Sequence, residues 1–158
     1  SIKNHKTFCV GANLESIEQI VSEVKIIEHQ DISNAEQIVI VKCMDIHKVT
    51  DVNLQKEYPI CSTNEIIDVG LPPSVDELLK LQSDIKKVIS MLIEQGIDLQ
   101  LPDFEIDIES RIISLWNLCT KVPMSMEMRN KLLSHNSIDD RFKEINNYVQ
   151  RILKKSFN

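Results

Sequence analysis

Two short stretches bring together side chains of types that carry out chemistry. Cys43 and His47 lie close in the sequence, and a thiolate with an imidazole is a common pair of zinc ligands. Asp139 and Asp140 are adjacent carboxylates, the residue type that glycoside hydrolases use in pairs. Each stretch is therefore a candidate for metal binding or acid–base catalysis, and each has a structural alternative.

The structural alternative is favoured in both stretches. Structural zinc sites usually show two close pairs of ligands, and the sequence contains no C-x-x-C. The cysteines are instead widely spaced, mostly within apolar patterns where a thiol acts as a small hydrophobe: Cys9, Cys43, Cys61 and Cys119. Adjacent acids suit the first turn of a helix, whereas glycosidase carboxylates face each other across a cleft. We therefore expect no metal site and no catalytic pair.

Motifs for phosphate binding and for nucleophilic catalysis are also missing from the sequence. It contains no G-x-x-x-x-G-K-[ST], no G-x-G-x-x-G and no G-x-S-x-G. The four histidines are scattered, and we expect His29 and His47 at strand edges or on the surface rather than as ligands. The sequence thus predicts a protein without catalytic residues and without a cofactor.

Composition and charge narrow the class of partner. The chain has 158 residues, 42% hydrophobic and 27% charged, which is ordinary for a folded domain. Its longest apolar runs, such as Ile38–Val41, are far shorter than the roughly 20 residues that span a bilayer, and no signal peptide is visible. We expect a cytoplasmic protein with reduced cysteines and no membrane partner. The net charge of −6, with most of the negative excess before Ser74, argues against nucleic acid.

The chain divides at the link Asp68–Ser74, which contains a glycine and two prolines. Before it, the patterns predict four or five short strands, among them Thr7–Ala12, Gln19–His29, Glu36–Cys43 and Glu57–Ile67. The Val- and Ile-rich third segment is typical of a strand covered on both faces. Residues Glu15–Ile27 can also be drawn as a helix. We predict a curled sheet or partial barrel over residues 1–73.

After the link the hydrophobic period becomes helical, over residues 74–158. Ser74 and Glu77 form a capping box, and Gly96 is a natural end for the first helix. Ser125 and Ser137 are expected to cap a third and a fourth helix. The second helix has an apolar face made of Ile108, Ile112, Leu115, Trp116 and Cys119. Four successive amphipathic helices predict a bundle, and the fold class is therefore α+β.

The stretch Val122–Phe142, VPMSMEMRNKLLSHNSIDDRF, resembles the signature that joins the last two helices of the amino-terminal substrate-recognition domain of Lon proteases. The matching residues are Pro123, Ser125, Glu127, Arg129, Leu132, Leu133, Arg141 and Phe142. The segments HKTFCVGA, EVKIIEHQDISNAEQIVIVKCMDIHKVTDV and EYPICSTNEIID resemble the family's strands in the same order. The resemblance implies one domain, made of a PUA-like pseudobarrel lobe followed by a helical bundle lobe.

The sequence departs from the family at three points. Cys43 stands where the family has a glycine, and Ile46 where it has an arginine, so a contact made by that arginine is lost. The family's opening strands are missing, which suggests a truncated domain. No ATPase or Ser-Lys protease region follows, so the chain resembles the stand-alone bacterial proteins that consist of this domain.

The resemblance implies a non-catalytic module that binds polypeptide segments. Candidate partner contacts are Trp116, because aromatic side chains anchor interfaces, and three methionines, because flexible thioethers adapt to varied partners: Met124, Met126 and Met128. Packing of the same residues in the helical core is the alternative. Other hypotheses are RNA binding through the PUA-like lobe and an adaptor for a separate protease, and a homodimer stays open.

Overall fold

The fold is taken from a computed structural model, which describes residues 7–11, 19–33, 36–56 and 58–155. Parts of the predicted strands and turns lie outside these ranges, namely Ala12, residues 15–18 and Glu57. The chain forms two compact units, Ser1–Ile67 and Asp68–Asn158. The first holds the described strands and the second the described helices, which gives an α+β protein.

The first unit contains a four-stranded antiparallel sheet in the order β1-β2-β3-β4. Its strands are β1 (Thr7–Gly11), β2 (Ile20–Asp31), β3 (Gln37–Asn53) and β4 (Ile60–Glu65). Consecutive strands are neighbours throughout, so the sheet is a simple meander. The described part of the segment that could also be drawn as a helix is the strand β2. Its β-branched residues and its pairing with both neighbours favour the extended form.

Strand β3 corrects the expectation of a strand covered on both faces. Ile38 and Ile40 are each 51% exposed, and Val41 is 38% exposed. The strand also continues to Asn53, well beyond the predicted end at Cys43. The first part of β3 pairs with the polar C-terminal end of β2, where Ile38 lies opposite Gln30 and Ile40 lies opposite Glu28. An apolar run predicts a strand. Whether the side chains of that strand are buried depends on which other elements pack against it, and the residues of the run alone do not determine this.

The sheet curls so that its two outermost strands approach each other. The Cys61 thiol of β4 lies close enough to Cys9 of β1 to raise the pKa of the Cys9 thiol, although these strands lie at opposite ends of the strand order. The described core of this unit is small and consists of Val21, Val24 and Val49. The predicted curled sheet is therefore present, while the finer PUA-like assignment stays a prediction.

Four helices form the second unit: α1 (Val75–Glu94), α2 (Arg111–Lys121), α3 (Met126–Ser134) and α4 (Ile138–Lys155). The capping box of Ser74 and Glu77 is confirmed, since each residue bonds the other's backbone N–H. The Ser125 side chain accepts from the N–H of Met128, and the Ser137 hydroxyl accepts from the N–H of Asp140. The first helix stops before Gly96, which has φ +85, a value that side chains with a Cβ rarely adopt.

The helices enclose the larger hydrophobic core of the chain. Its centre is fully buried and includes Leu78, Ile85, Leu115, Ile145 and Val149. The predicted apolar face of the second helix is wrong at Ile108, which is 66% exposed and precedes α2. The reason is that α2 begins at Arg111, because Asp107 accepts from the backbone N–H groups of Glu109 and Ser110 and holds that segment in a turn.

The division between the units falls after Ile67, earlier than the predicted division after residue 73. Val69 forms an isolated parallel bridge with Ser137, so the link starts inside the helical unit. The backbone N–H of Val69 donates to the carbonyl of Asn136, and the carbonyl of Val69 accepts from the N–H of Ile138. Among the described residues, each helix is too short or too polar to cross a lipid bilayer.

The helical core gives a first prediction. Changing Ile85 to alanine should lower the free energy of unfolding by about 2–5 kcal/mol, because it opens a cavity at a fully buried position. Ile113, which is 60% exposed on α2, provides the control, and its change to alanine should cost less than about 0.5 kcal/mol. Urea unfolding followed by the fluorescence of Trp116, the single tryptophan, measures both values. Equal losses for the two variants would contradict the assigned core.

Candidate functional site

The four residues predicted as partner contacts lie in the helical unit and differ in exposure. Met128 is 8% exposed and belongs to the hydrophobic core. Trp116 and Met124 are partly buried and pack against that core. Met126 is 63% exposed. Met126 and Met128 point away from each other because two residues advance a helix by about 200°. The structure thus leaves Met126 as the exposed member of this set, and its contact with a partner stays a prediction.

Trp116 has a structural partner in Arg141. The guanidinium of Arg141 lies 4.0 Å from the centre of the indole ring, within the range of a cation–π contact. Arg141 is fully buried, and its Nη2 pairs with the Asp68 carboxylate at 2.7 Å. The same side chain donates to the carbonyl groups of Leu132 and His135. One buried cation therefore joins α2, the α3–α4 turn and the link, which gives the Arg-Phe pair of the sequence motif a structural role.

A cavity of about 570 Å³ lies in the β unit. Most of its lining is apolar, and the described lining residues come from all four strands and from the segment before β4. The large apolar residues that line the cavity and are also exposed are Phe8, Tyr58 and Ile60. The volume lies within the range of ligand sites, about 300–1,000 Å³. A larger cavity, of about 780 Å³, lies on α1 and α4, but most of its lining residues are polar or charged, whereas most of those in the β unit are apolar.

The β unit also exposes many apolar side chains, three of which line the cavity. Among its described residues, three large apolar residues are buried and twelve are exposed. The exposed ones are Phe8, Val10, Ile27, Ile32, Ile38, Ile40, Val41, Met44, Leu54, Tyr58, Ile60 and Ile67. Single exposed apolar residues are normal, whereas large contiguous groups of them are common at interaction sites. The partner contacts predicted from the sequence lie in the helical unit, and that prediction did not include these residues. Three of the exposed residues lie in the Ile38–Val41 run, which is visible in the sequence, but the apolar composition of that run predicts burial rather than exposure.

The thiols of Cys9 and Cys61 lie close together, and both line the cavity of the β unit. Burial, the neighbouring Cys61 thiol and the charge of Glu23 together raise the pKa of the Cys9 thiol to about 11. A protonated thiol is a poor nucleophile, so Cys9 does not offer an activated cysteine. Cys119 lies in the helical core, where burial raises its pKa to about 12. Neither thiol has the lowered pKa expected of a catalytic cysteine.

A polar cluster lies on β2 and β3, made of Glu23, Asp45 and His47. Donor atoms of these three side chains lie within 4.8 Å of one another. The His47 Nε2 atom is 3.2 Å from Oε2 of Glu23, and the His47 side chain is 15% exposed. The sequence predicted His47 at a strand edge or on the surface, and that prediction missed this cluster. The alternation Asp-x-His on a strand was the available signal, because it puts both side chains on one face.

Comparisons with known proteins identify the fold. No protein family model matches the chain. A solved structure, the N-terminal domain of Mycobacterium avium complex Lon protease, superposes with a TM-score of 0.55 at 13% identity, covering 91% of this chain and 77% of that one. The chain has a Lon N-domain-like fold. At this identity the likeness concerns the fold alone, and it supports the strand and helix order expected from the sequence.

A second likeness covers part of a much longer protein. Over 108 residues the chain is 27% identical to a subunit of the nuclease SbcCD from Staphylococcus aureus (strain bovine RF122 / ET3-1). This stretch covers 68% of the chain but 11% of that protein, so the chain spans about a tenth of the length of this relative.

The ion pair of Arg141 gives a second prediction. Replacing Asp68 with alanine should lower the free energy of unfolding by about 3 kcal/mol, because it leaves a buried cation without its counter-ion. Asp68→Asn keeps an acceptor for Nη2 and should lose less. Asp98 is exposed, and its change to alanine serves as the control, with an expected loss under about 0.5 kcal/mol. Thermal unfolding followed by Trp116 emission measures these losses. Equal losses of stability in Asp68→Ala and Asp98→Ala would contradict the assigned ion pair.

The raised pKa of Cys9 gives a third prediction. At pH 8 the thiolate fraction of Cys9 is about a hundredfold below that of a thiol with the ordinary pKa. The more basic thiolate is also more nucleophilic, which offsets part of the resulting loss in reaction rate. Iodoacetamide should therefore modify Cys9 at least about tenfold more slowly than the exposed Cys43. The rate should keep rising as the pH approaches 11. Peptide mass spectrometry measures both sites in one sample, and equal rates at pH 8 would contradict the raised pKa of the half-buried Cys9 thiol.

Proposed function

We propose that the chain is a non-catalytic binding module that holds apolar segments of other polypeptides through the cavity of its β unit. The supporting observation is the cavity of about 570 Å³, lined mainly by apolar side chains, in a unit that exposes more large apolar residues than it buries. The Lon N-domain-like fold supports the same class of function. The PUA-like assignment of the sheet and a role as an adaptor for a separate protease are finer parts of this proposal.

The occupant that fits is an extended apolar segment. Pockets lined by Val, Ile, Phe and Tyr reward burial of apolar side chains at about 25 cal/mol per Å². Charged segments gain little there, because they lose hydration without a compensating charge. Polypeptides that are unfolded or incompletely folded expose such segments, whereas folded proteins bury them.

The outermost strands provide a second means of recognition. Strands β1 and β4 end the strand order, and both contribute to the cavity lining. Among the described residues, each of them pairs with one neighbouring strand. The Cys9 and Cys61 side chains bring the two edges together at one point, so an extended polypeptide would add to either strand away from that point, where it gains backbone hydrogen bonds irrespective of its sequence. Apolar side chains would enter the cavity while the backbone bonds the edge, which allows varied sequences to bind.

Substitution of two exposed residues that line the cavity tests this proposal. In the double variant Phe8→Thr with Ile60→Thr, both changes introduce threonine, a β-branched residue that suits a strand, and remove apolar contact area. Binding of fluorescein-labelled, reduced and carboxymethylated α-lactalbumin, followed by anisotropy, should weaken at least tenfold. That factor corresponds to about 1.4 kcal/mol.

The control is Val10→Thr, which lies on the same strand with comparable exposure but does not line the cavity. This variant should bind within about twofold of the unchanged protein. Equal affinity of the double variant and the unchanged protein would contradict the cavity as the binding site. Absence of binding by the unchanged protein would contradict the function itself.

RNA binding is the second candidate function. The net charge of −6 predicts no tight, salt-sensitive association with a generic single-stranded RNA. The same anisotropy experiment at about 50 mM salt tests it, since electrostatic binding is strongest at low salt. Tight RNA binding that weakens steeply with added salt would favour an RNA-binding protein over a polypeptide-binding module.

A further inference from the structure

The register of the sheet places two carboxylates opposite each other. Glu23 of β2 pairs directly with Asp45 of β3, so their side chains leave the same face of the sheet. His47 follows Asp45 on the same strand and therefore lies on that face as well. Like charges at directly opposite positions destabilise a strand pair. A bound cation between them would turn this repulsion into attraction.

The partners of the two carboxylates do not remove the repulsion. Glu23 pairs with His47, which is charged only when it is protonated. Within the part of the chain that the structure describes, neither carboxylate lies in an ion pair with a lysine or an arginine. Glu65 pairs with His47 from β4 and brings a further carboxylate to the same face. The local charge is therefore negative and favours a cation.

His47 is held in an orientation suited to a metal ligand. Its Nδ1 lies 3.1 Å from the hydroxyl oxygen of Thr63 on β4. Its Nε2 is buried, has no hydrogen bond despite the nearby Glu23 carboxylate, and faces the cluster. When Nδ1–H donates to Thr63, the lone pair of Nε2 is available to a metal. Such a contact to the second ring nitrogen is the usual way in which proteins orient a ligating histidine.

The backbone next to the cluster is irregular. The register shifts between Glu23 and Val24 on β2, where Asp45 and Cys43 are the successive partners and Met44 is the extra residue. β-bulges re-aim side chains and are common beside functional sites. Here the bulge directly follows the pair of facing carboxylates.

We propose that Glu23, Asp45 and His47 form a zinc site on the surface of the sheet, with Thr63 orienting His47. A tetrahedral zinc ion with nitrogen and oxygen ligands places its donor atoms about 3.4 Å apart. The donors here lie within 4.8 Å of one another, and Asp45 is exposed. Two carboxylates and a neutral imidazole also balance the charge of a divalent ion. The imidazole favours zinc over magnesium, which prefers oxygen ligands.

A zinc ion at this position would join β2 to β3 and, through Thr63, would be supported by β4. Three protein ligands leave a fourth position for water or for a group from a partner. None of its four residues lines the apolar cavity, although Glu23 pairs with Cys9, which does, and zinc binding is measured without any polypeptide. A failure of this proposal is therefore distinguishable from a failure of the proposed function.

Calorimetric titration of the tag-free chain with Zn²⁺, and separately with Mg²⁺, tests the site. The unchanged protein should bind one zinc ion and should bind magnesium at least tenfold more weakly. His47→Gln and Asp45→Asn should each weaken zinc binding at least tenfold, and Thr63→Val about tenfold or more. Asp45 is exposed, so its variant keeps the test valid if His47→Gln does not fold, which circular dichroism reports.

The matched control is His29→Gln, an exposed histidine on β2 away from the cluster. It should bind zinc within about twofold of the unchanged protein. Three results would overturn the site: no zinc binding by the unchanged protein, equal binding of zinc and magnesium, or unchanged zinc affinity in both His47→Gln and Asp45→Asn. A loss in His29→Gln equal to that in His47→Gln would show binding to surface histidines instead.

Discussion

Among its described residues, the β unit exposes more large apolar side chains than it buries. A four-stranded meander packs a few valines at its centre, and Val21, Val24 and Val49 are the buried members. The Ile38–Val41 run alternates its side chains between both faces, so no single layer could cover it. Burial of apolar area is the main favourable term in folding and association, and area left uncovered is available to a partner. The proposed polypeptide binding follows from this imbalance.

The helical unit has the opposite character. Its caps at Ser74, Ser125 and Ser137 satisfy helix N-termini locally, and a fully buried core joins the four helices. Arg141 is the unusual element, because a buried cation costs several kcal/mol unless its partners are well placed. The Asp68 carboxylate, two carbonyl groups and the Trp116 ring supply those partners. Arg141 of the motif that carries the resemblance to Lon N-terminal domains therefore has a structural role, and 12 of the 21 exposed large apolar residues that the structure describes lie in the other unit.

Local signals predicted the helices well. A serine followed three residues later by an acidic or amide-bearing position, as in Ser74 and Glu77, specifies a helix start through contacts within one turn. The order of strands and helices and the α+β class also followed from the pattern and from the resemblance. Burial was harder to predict. Ile108 and the Ile38–Val41 run look like core residues, but their exposure depends on turns and layers that the local sequence does not encode. The cluster of Glu23 with His47 depends on strand register, which the sequence leaves open.

Hydrogen–deuterium exchange of the chain, with and without a saturating unfolded polypeptide, is the most direct test of apolar recognition by the β unit. The account predicts slower exchange at the amides of Thr7–Gly11 and Ile60–Glu65 and unchanged exchange in the four helices. Protection confined to the helices, or no protection at saturation, would contradict it.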